Sequence, residues 1–313
     1  MSEPPRIHRI ALIGFGEVGT IFGRDLAERG LEITTYDILF DAPHARPAML
    51  ERARAAAVVP ADTLGDAVRA ADLVISAVTA SSASDVARDA APSLSRGQWF
   101  LDINSVSPET KRGNARAVEA SGAAYVEAAV MAPVPPQRLA VPMLVGGRQA
   151  QALAGALKEF GMNATAVADE IGTASAIKMC RSIMIKGLEA LTVECLFAAR
   201  RFGAEQAVLA SLERTFPHMG WTAELPDYLV SRVAEHGRRR AAELREVAQT
   251  LSDVGMEPLM ASATAERHDA LVRQMVEAGV PYPAGEAFSW RTLADALAAA
   301  NASAQAPARL LKA

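Results

Sequence analysis

The chain has very little cysteine, since Cys180 and Cys195 are the only two among its 313 residues. They stand 15 residues apart in one predicted helix, a spacing that fits neither a metal site nor a framework of disulfides. We expect both to be core thiols in a reducing compartment. The sequence therefore predicts a cytoplasmic protein with no metal ion.

Long apolar runs and basic tracts are missing as well. No apolar run approaches the ~18 residues of a membrane span, and residues 1–9 lack the apolar region of a secretory signal. The net charge is −4, with no tract basic enough to indicate nucleic acid. A length of 313 residues, half of them hydrophobic, predicts a globular protein of about two domains with neither a membrane nor a nucleic-acid partner.

Residues 7–37 have the pattern of a strand, a glycine turn, a helix and a second strand. The turn is Gly14-Phe15-Gly16-Glu17-Val18-Gly19, the G-x-G-x-x-G pattern. The first glycine permits a tight turn, the second lets a pyrophosphate approach the backbone, and the third lets the helix pack on the sheet. Phosphates then rest on the N–H groups at the start of that helix. This context predicts dinucleotide binding by all six residues, and a tight turn without a ligand is the alternative.

Asp37 bears on the choice of cofactor. It ends the second strand 18 residues beyond Gly19, where a carboxylate accepts hydrogen bonds from an adenosine ribose. In that place it favours NAD and repels the extra phosphate of NADP, although Arg46 or Arg52 could still reach a phosphate. The alternative for Asp37 is a solvated residue at the end of a strand.

Strand and helix patterns alternate up to about residue 170, and helical patterns alone follow. The alternation predicts an α/β fold: an N-terminal Rossmann domain with a doubly wound parallel sheet, followed by an all-α C-terminal domain. We place these domains at 1–170 and 171–313, with a long helix at about 173–201. Residues 131–137 are rich in proline, which predicts an irregular loop.

Lys178 is the strongest candidate for proton transfer. It lies near the start of the long helix, six residues after Gly172, and Ser182 follows at i+4 on the same face. Desolvation beside a cofactor disfavours a charged amine, which makes such a lysine a credible acid and base for an alcohol–carbonyl interconversion. A solvated helix lysine is the alternative.

Several motifs together resemble one family. They are the glycine turn, Asp102-Ile103-Asn104-Ser105-Val106-Ser107-Pro108, Glu127-Ala128-Ala129-Val130, and Gly172 followed six residues later by Lys178. Their order resembles the β-hydroxyacid dehydrogenases, which include 3-hydroxyisobutyrate and 6-phosphogluconate dehydrogenases. The likeness covers roughly residues 7–200, and residues 236–246 resemble a 6-phosphogluconate-dehydrogenase-like branch with a poorly characterised C-terminal domain.

The resemblance implies roles for individual residues. It implies hydride transfer to or from NAD(P), with Lys178 as the general acid/base. Asn104 and Ser105 are then expected at the nicotinamide or the substrate carboxylate, and Val78 and Thr79 along the nicotinamide ribose. Members commonly dimerise through the helical domain, so we expect a homodimer.

Three departures from the family pattern matter for the substrate. Met131 replaces the serine of the family's D-A-P-V-S-G-G, so a substrate-binding hydroxyl is lost at that position. Ser182 replaces an asparagine but still offers a hydroxyl. Ile185 replaces the glutamic acid of the decarboxylating members, which argues against 6-phosphogluconate oxidation.

The sequence therefore predicts an NAD(P)-dependent oxidoreductase that acts on a small, carboxylated 3-hydroxy, keto or semialdehyde substrate. Asn104, Ser105, Met131 and Ser182 are the predicted substrate contacts. Two alternatives stay open, namely a non-catalytic protein that binds or senses NAD(H) and an enzyme resembling imine reductases. Lys186 is a second site residue or an exposed or interfacial lysine. We expect His218 and His236 to pack within the helical domain, and closure over the cleft is the alternative for both.

Overall fold

The computed structural model describes the backbone of residues 7–283 and 287–310, with side chains as far as residue 300. Its eight strands are β1 (Arg9–Ile13), β2 (Glu32–Tyr36), β3 (Val59–Pro60), β4 (Leu73–Ser76), β5 (Trp99–Asp102), β6 (Ala124–Val130), β7 (Met143–Gly146) and β8 (Ala164–Ala168). The helices among and after the strands are α1 (Glu17–Ala27), α2 (Arg46–Ala55), α3 (Leu64–Arg69), α4 (Ala83–Ala90), α5 (Pro108–Glu119), α6 (Val134–Gln137), α7 (Ala150–Glu159), α8 (Thr173–Arg201), α9 (Glu205–Thr215), α10 (Leu225–Asp253), α11 (Leu259–Glu277) and α12 (Trp290–Leu310). The chain divides into two compact units between Met179 and Cys180, inside α8.

The strands form a single sheet in the order β3-β2-β1-β4-β5-β6-β7-β8. All neighbours pair in parallel except β6 and β7, which are antiparallel. The chain between β6 and β7 has no helix long enough to carry it back across the sheet, and the short return reverses the strand direction. The predicted Rossmann fold is confirmed as an α/β sheet that is mostly, not wholly, parallel.

Residues of β1 show how the sheet is covered on both faces. Ile10 and Leu12 pack into one cluster with residues of α1, α2 and α7, whereas Ala11 and Ile13 pack into another with residues of α3, α4 and α5. Successive side chains of a strand point to opposite faces, so a strand buried on both sides is apolar throughout. This is the doubly wound arrangement, and it leaves the ends of the strands for ligand binding.

All the regular elements that the structure describes beyond Met179 are helices, joined by turns and short irregular segments. The core of this second unit includes Val193 and Leu196 of α8, Val230 of α10, Leu271 of α11 and the fully buried Trp290 of α12. The all-α prediction for the C-terminal part is thereby confirmed. The functional division at 170/171 stays a prediction. No helix in the described part of the chain is long and apolar enough to cross a membrane.

Two details differ from the sequence predictions. Residues 131–137 are not wholly irregular, because Val134–Gln137 forms the short α6. Prolines fit the first turn of a helix, where backbone N–H groups need no partner within the helix. Cys180 and Cys195 are exposed rather than buried. The helix α8 turns other residues, such as Leu196, toward the core of its unit, and the two thiols lie on its solvent-facing sides.

Candidate functional site

The glycine turn between β1 and α1 has the geometry of a phosphate cradle. At Gly14, with φ +89°, an added Cβ would lie 2.4 Å from the carbonyl oxygen of Ala77, and at Gly19 it would lie 2.1 Å from that of Gly14. At Gly16 an added Cβ meets nothing within 4 Å. Packing therefore explains two of the glycines but not Gly16, whose open face fits a pyrophosphate lying against the backbone at the start of α1.

The Asp37 carboxylate lies against this turn. It accepts hydrogen bonds from the N–H of Phe15 at 2.6 Å and from the N–H of Leu39 at 2.9 Å. Because a carboxylate has about four acceptor positions, these two bonds leave capacity for ribose hydroxyls. Asp37 therefore also supports the turn, which the sequence did not predict.

The two candidate arginines are placed differently. Arg52 donates to the carbonyl oxygen of Phe15 at 3.3 Å, so its guanidinium lies at the glycine turn. Arg46 donates to the carbonyl oxygen of Phe40 at 2.8 Å and lies 3.7 Å from Asp62. Of these two arginines, Arg52 is the one that lies at the turn.

Asn104 joins two neighbouring strands at the carboxyl edge of the sheet. Its side-chain oxygen accepts from the N–H of Val78 at 2.7 Å, and its amide nitrogen donates to the Ser76 hydroxyl at 2.9 Å and to Asp102 at 2.8 Å. The loops after β4 and β5 are thereby held together. Thr79, next in the β4 loop, contacts the hydroxyl of Ser81 at 3.0 Å.

Asp102, the last residue of β5, is the centre of a fully buried polar network. Its carboxylate lies 2.8 Å from the ammonium of Lys111 and accepts from the Tyr125 hydroxyl at 2.7 Å and from Asn114 at 3.1 Å. Burial alone raises the pKa of the Asp102 carboxyl, but the Lys111 charge and these hydrogen bonds outweigh it and hold that pKa below its ordinary value. Burial and the Asp102 charge raise the pKa of Tyr125. Asp102 is therefore an anion that fixes Asn104 rather than a proton carrier.

Lys178 lies at the same edge of the sheet. Its Nζ donates to the Ser105 Oγ at 2.5 Å, and Ser105 follows Asn104 in the loop after β5. Lys178 itself is half-buried. The amine and the hydroxyl, predicted separately from the sequence, are thus in direct contact beside the loop that Asn104 holds.

The helix α8 carries Lys178 on its second turn, and its first turn is bonded to Glu127 of β6. One carboxylate oxygen of Glu127 accepts from the N–H of Gly172 at 2.6 Å and from that of Ala174 at 3.0 Å. The other accepts from the hydroxyl of Ser175 at 2.7 Å and from its N–H at 3.3 Å. The helix start is thereby tied to the sheet.

The remaining predicted residues lie in or just before the first turn of α1, after β6 and on α8. Glu17 is exposed and Val18 half-buried, both in the first turn of α1, and the Phe15 ring is fully buried. Met131 is half-buried, and its N–H donates to the carbonyl oxygen of Pro142 at 2.8 Å. Ser182 is buried one turn beyond Lys178 on α8, in the part of the helix assigned to the second unit. Their roles stay predictions.

Sequence reasoning missed the supporting residues Lys111, Asn114 and Glu127. The sequence holds a signal for Lys111 and Asn114, which lie three residues apart in α5. They share the buried face of that helix with Ala115 and Val118. Polar residues on an otherwise apolar helix face predict a buried polar partner. Glu127 stood within a quoted motif, in a strand that is otherwise apolar, and such a carboxylate needs donors from elsewhere in the fold.

Comparison with known proteins decides the family. Residues 9–168, just over half of the chain, match the family described as the NAD binding domain of 6-phosphogluconate dehydrogenase. The chain belongs to that family. The resemblance inferred from the motifs is confirmed, as is NAD as the cofactor. Residues 199–271, in the helical part of the chain, match the family described as a domain of unknown function, DUF1932. That match assigns no role to the helical part.

Three similar proteins extend this result. A conserved hypothetical protein of Sinorhizobium meliloti has a solved structure with a TM-score of 0.78 and 38% identity, over 95% of this chain and 98% of that one. An uncharacterised 28.5 kDa protein of Methanothermus fervidus is 28% identical over 82% of this chain and 96% of its own. The mitochondrial 3-hydroxyisobutyrate dehydrogenase of Bos taurus is 24% identical over 69% of this chain, a match that spans 64% of the bovine enzyme.

Proposed function

We propose that the protein is an NAD(P)-dependent dehydrogenase or reductase that interconverts a hydroxyl and a carbonyl group on a small 3-hydroxy acid or a related keto or semialdehyde compound. The observation that carries this proposal is the contact of 2.5 Å between Lys178 Nζ and Ser105 Oγ, at the carboxyl edge of an NAD-binding sheet. The named relative that acts on 3-hydroxyisobutyrate supports the substrate class.

In this proposal Lys178 is the general acid/base. When bound, the nicotinamide supplies the acceptor or donor of a hydride, and Lys178 takes the proton from the substrate hydroxyl or returns it to the carbonyl oxygen. Ser105, which shares a hydrogen bond with the amine, orients the lysine and the substrate oxygen. Asn104 fixes the Val78 backbone, and through it the loop proposed to lie along the ribose.

The cofactor end is assigned to the glycine turn. Gly16 and the first N–H groups of α1 would hold the pyrophosphate, and Asp37 the adenosine ribose. NAD is the favoured form because Asp37 repels a ribose phosphate. Arg52 at the turn gives NADP a partner, so we propose that both are bound and that NAD is bound more tightly.

The segment after β6 favours one further candidate function. The N–H of Met131 donates to the carbonyl oxygen of Pro142, and Pro133 has no N–H group. This segment therefore offers few donors to a substrate carboxylate. A protein that binds NAD(H) without turnover would also tolerate such a segment. We rank this candidate second because Lys178 and Ser105 are kept in contact.

A screen of 3-hydroxy acids and their keto or aldehyde partners, with NAD(H) and NADP(H) side by side, tests the proposal. On a substrate that is turned over, Lys178→Met is expected to lower kcat at least 100-fold with NADH affinity unchanged. Lys178→Arg is the matched control, because it keeps the charge and length but cannot release a proton at neutral pH, and it should be equally inactive. Unchanged turnover in either variant contradicts the assignment.

We also propose that two copies associate through α8. A stripe of side chains at alternating spacings of four and three residues, typical of a helix–helix seam, runs along the helix and just beyond it: Met184, Leu188, Leu191, Cys195, Ala198 and Phe202. The side chains of Met184 (74%), Leu191 (58%) and Phe202 (85%) are exposed to these extents. Apolar exposure of this kind along one helix marks an interaction surface. We propose a cytoplasmic location as well, in keeping with only two cysteines in the sequence.

A further inference from the structure

The contact between Lys178 and Ser105 joins two separate parts of the first unit. Ser105 lies in the loop after β5, and Lys178 on the second turn of α8. Catalysis of the proposed kind depends on this geometry, since a displacement of about 1 Å at a reacting group costs on the order of 100-fold in rate. The groups that fix the two parts relative to each other therefore bear directly on the reaction.

The start of α8 has no cap of its own. The residue before the helix is Gly172, which has φ +108° and no side chain to accept a hydrogen bond from the first turn. Helices usually satisfy these N–H groups with a local Ser, Thr, Asp or Asn. Here the Glu127 carboxylate, 45 residues upstream, accepts from Gly172, Ala174 and Ser175 instead.

The surroundings of Glu127 are shaped to hold the carboxylate in one place. Glu127 has no exposed surface, and an added Cβ at Gly146 of the neighbouring strand would lie 2.8 Å from its Oε1. A negative charge at a helix start is also favoured by the helix dipole. The position of the first turn of α8 is thus set by a residue of the sheet.

Glu127 also stands in register with Asp102 across the β5–β6 pair. Asp102 fixes Asn104, next to Ser105, and Glu127 fixes the turn of α8 before Lys178. Two adjacent buried carboxylates of one sheet therefore hold the two sides of the amine–hydroxyl contact. We propose that Glu127 is a positioning residue for the Lys178 amine, acting through the first turn of α8. This inference rests on the proposed function of Lys178 as acid/base.

The test compares Glu127→Gln with Glu205→Gln in the full-length protein. The glutamine keeps the volume of Glu127 but turns an N–H group toward helix N–H groups, so the cap is weakened. Glu205 is the matched control, because it is another buried carboxylate at a helix start and pairs with Arg200 in the second unit. We expect Glu127→Gln to lower kcat 10- to 100-fold, with KM and the Kd for NADH within threefold, and to speed hydrogen exchange of the peptide containing residues 172–175. Glu205→Gln is expected to leave kcat within twofold.

A kcat within twofold of wild type in Glu127→Gln overturns the inference, whether or not exchange at 172–175 is accelerated. If Glu127→Gln gives no folded protein by circular dichroism, Ser175→Ala takes its place, because it removes only the hydroxyl donor at 2.7 Å. It should lower kcat three- to tenfold with KM unchanged, and wild-type kcat overturns the inference. Failure of the proposed function gives a different result, because turnover would then survive Lys178→Met. If only the inference about Glu127 fails, Lys178→Met is inactive while the Glu127 and Ser175 variants keep wild-type turnover.

Discussion

The central glycine of the turn allows cofactor binding to be separated from folding. Gly16→Ala adds a methyl group where the structure has no atom within 4 Å. The cost to the free energy of unfolding is expected to be about 0.5–1 kcal/mol, the usual difference between Gly and Ala at the residue before a helix. The same methyl group occupies the face where a pyrophosphate must approach the backbone. We expect the Kd for NADH to rise at least tenfold, a loss of about 1.4 kcal/mol or more.

Gly14→Ala and Gly19→Ala are the matched controls from the same turn. Their added methyl groups would lie 2.4 Å from the Ala77 oxygen and 2.1 Å from the Gly14 oxygen. Because both obstacles are backbone, these variants should lose roughly 3 kcal/mol or more of stability through overpacking and, at Gly14, through left-handed strain. Urea unfolding monitored by circular dichroism gives the stability, and NADH fluorescence titration gives the Kd. NADH binding by Gly16→Ala with wild-type affinity would refute the assignment of the cradle.

Three other predictions address the buried pair, the helical unit and the dimer. Lys111→Met leaves the Asp102 charge buried without its ammonium, so we expect a loss of about 3–5 kcal/mol in urea unfolding. Burial, helped by the charge of Arg240, lowers the pKa of His268 from its ordinary 6.5 to about 4. The folded protein thus keeps His268 neutral while the unfolded chain takes up a proton, so stability falls as the pH drops from about 6.5 to 4, by at most about 3 kcal/mol. His268→Gln should lack this part of the pH dependence. Leu191→Glu places a charge in the exposed stripe of α8 and is expected to give monomers by light scattering, with the fold intact.

Each of these predictions has an outcome that contradicts it. A stability of Lys111→Met within 1 kcal/mol of wild type would mean that Asp102 finds another cation or is protonated. Parallel pH curves for the wild type and His268→Gln would mean that His268 titrates normally in the folded state. Dimers of Leu191→Glu at micromolar concentration, or a monomeric wild type, would remove α8 as the interface.

The fold was predictable because its signals are local. The strand, glycine turn, helix and closing Asp37 lie within about 30 residues, and the long helix was placed at 173–201, where α8 is found. The antiparallel β7 was not predictable, because strand direction depends on how the chain returns over residues 131–142. The exposure of Cys195 follows from which face of α8 meets the other helices, a tertiary property that periodicity along one helix leaves open.

The candidate site could be predicted only in part from the sequence, because some of its residues act through distant contacts. Lys178 and Ser105 each stood in a recognisable motif, although they are 73 residues apart in the chain and meet only in the fold. Glu127 and Lys111 act through partners 45 and nine residues away, and nothing in their immediate neighbours identifies those partners. Residues that bind a ligand leave a pattern in sequence, whereas residues that hold them in place depend on long-range contacts.

The separation between the buried Asp102 and Glu127 carboxylates and the connection from β6 to β7 has a practical consequence for engineering. Ser105 follows the interior strand β5, and the turn of α8 before Lys178 is bonded to Glu127 of the interior strand β6. Residues 131–142, by contrast, connect β6 to β7. Exchange of this connection for one with serine and glycine in place of Met131 and Pro133 would add donors while leaving the Asp102 and Glu127 anchors in place. Under the proposed function, grafting of this loop is expected to change substrate preference while the Lys178–Ser105 contact is kept.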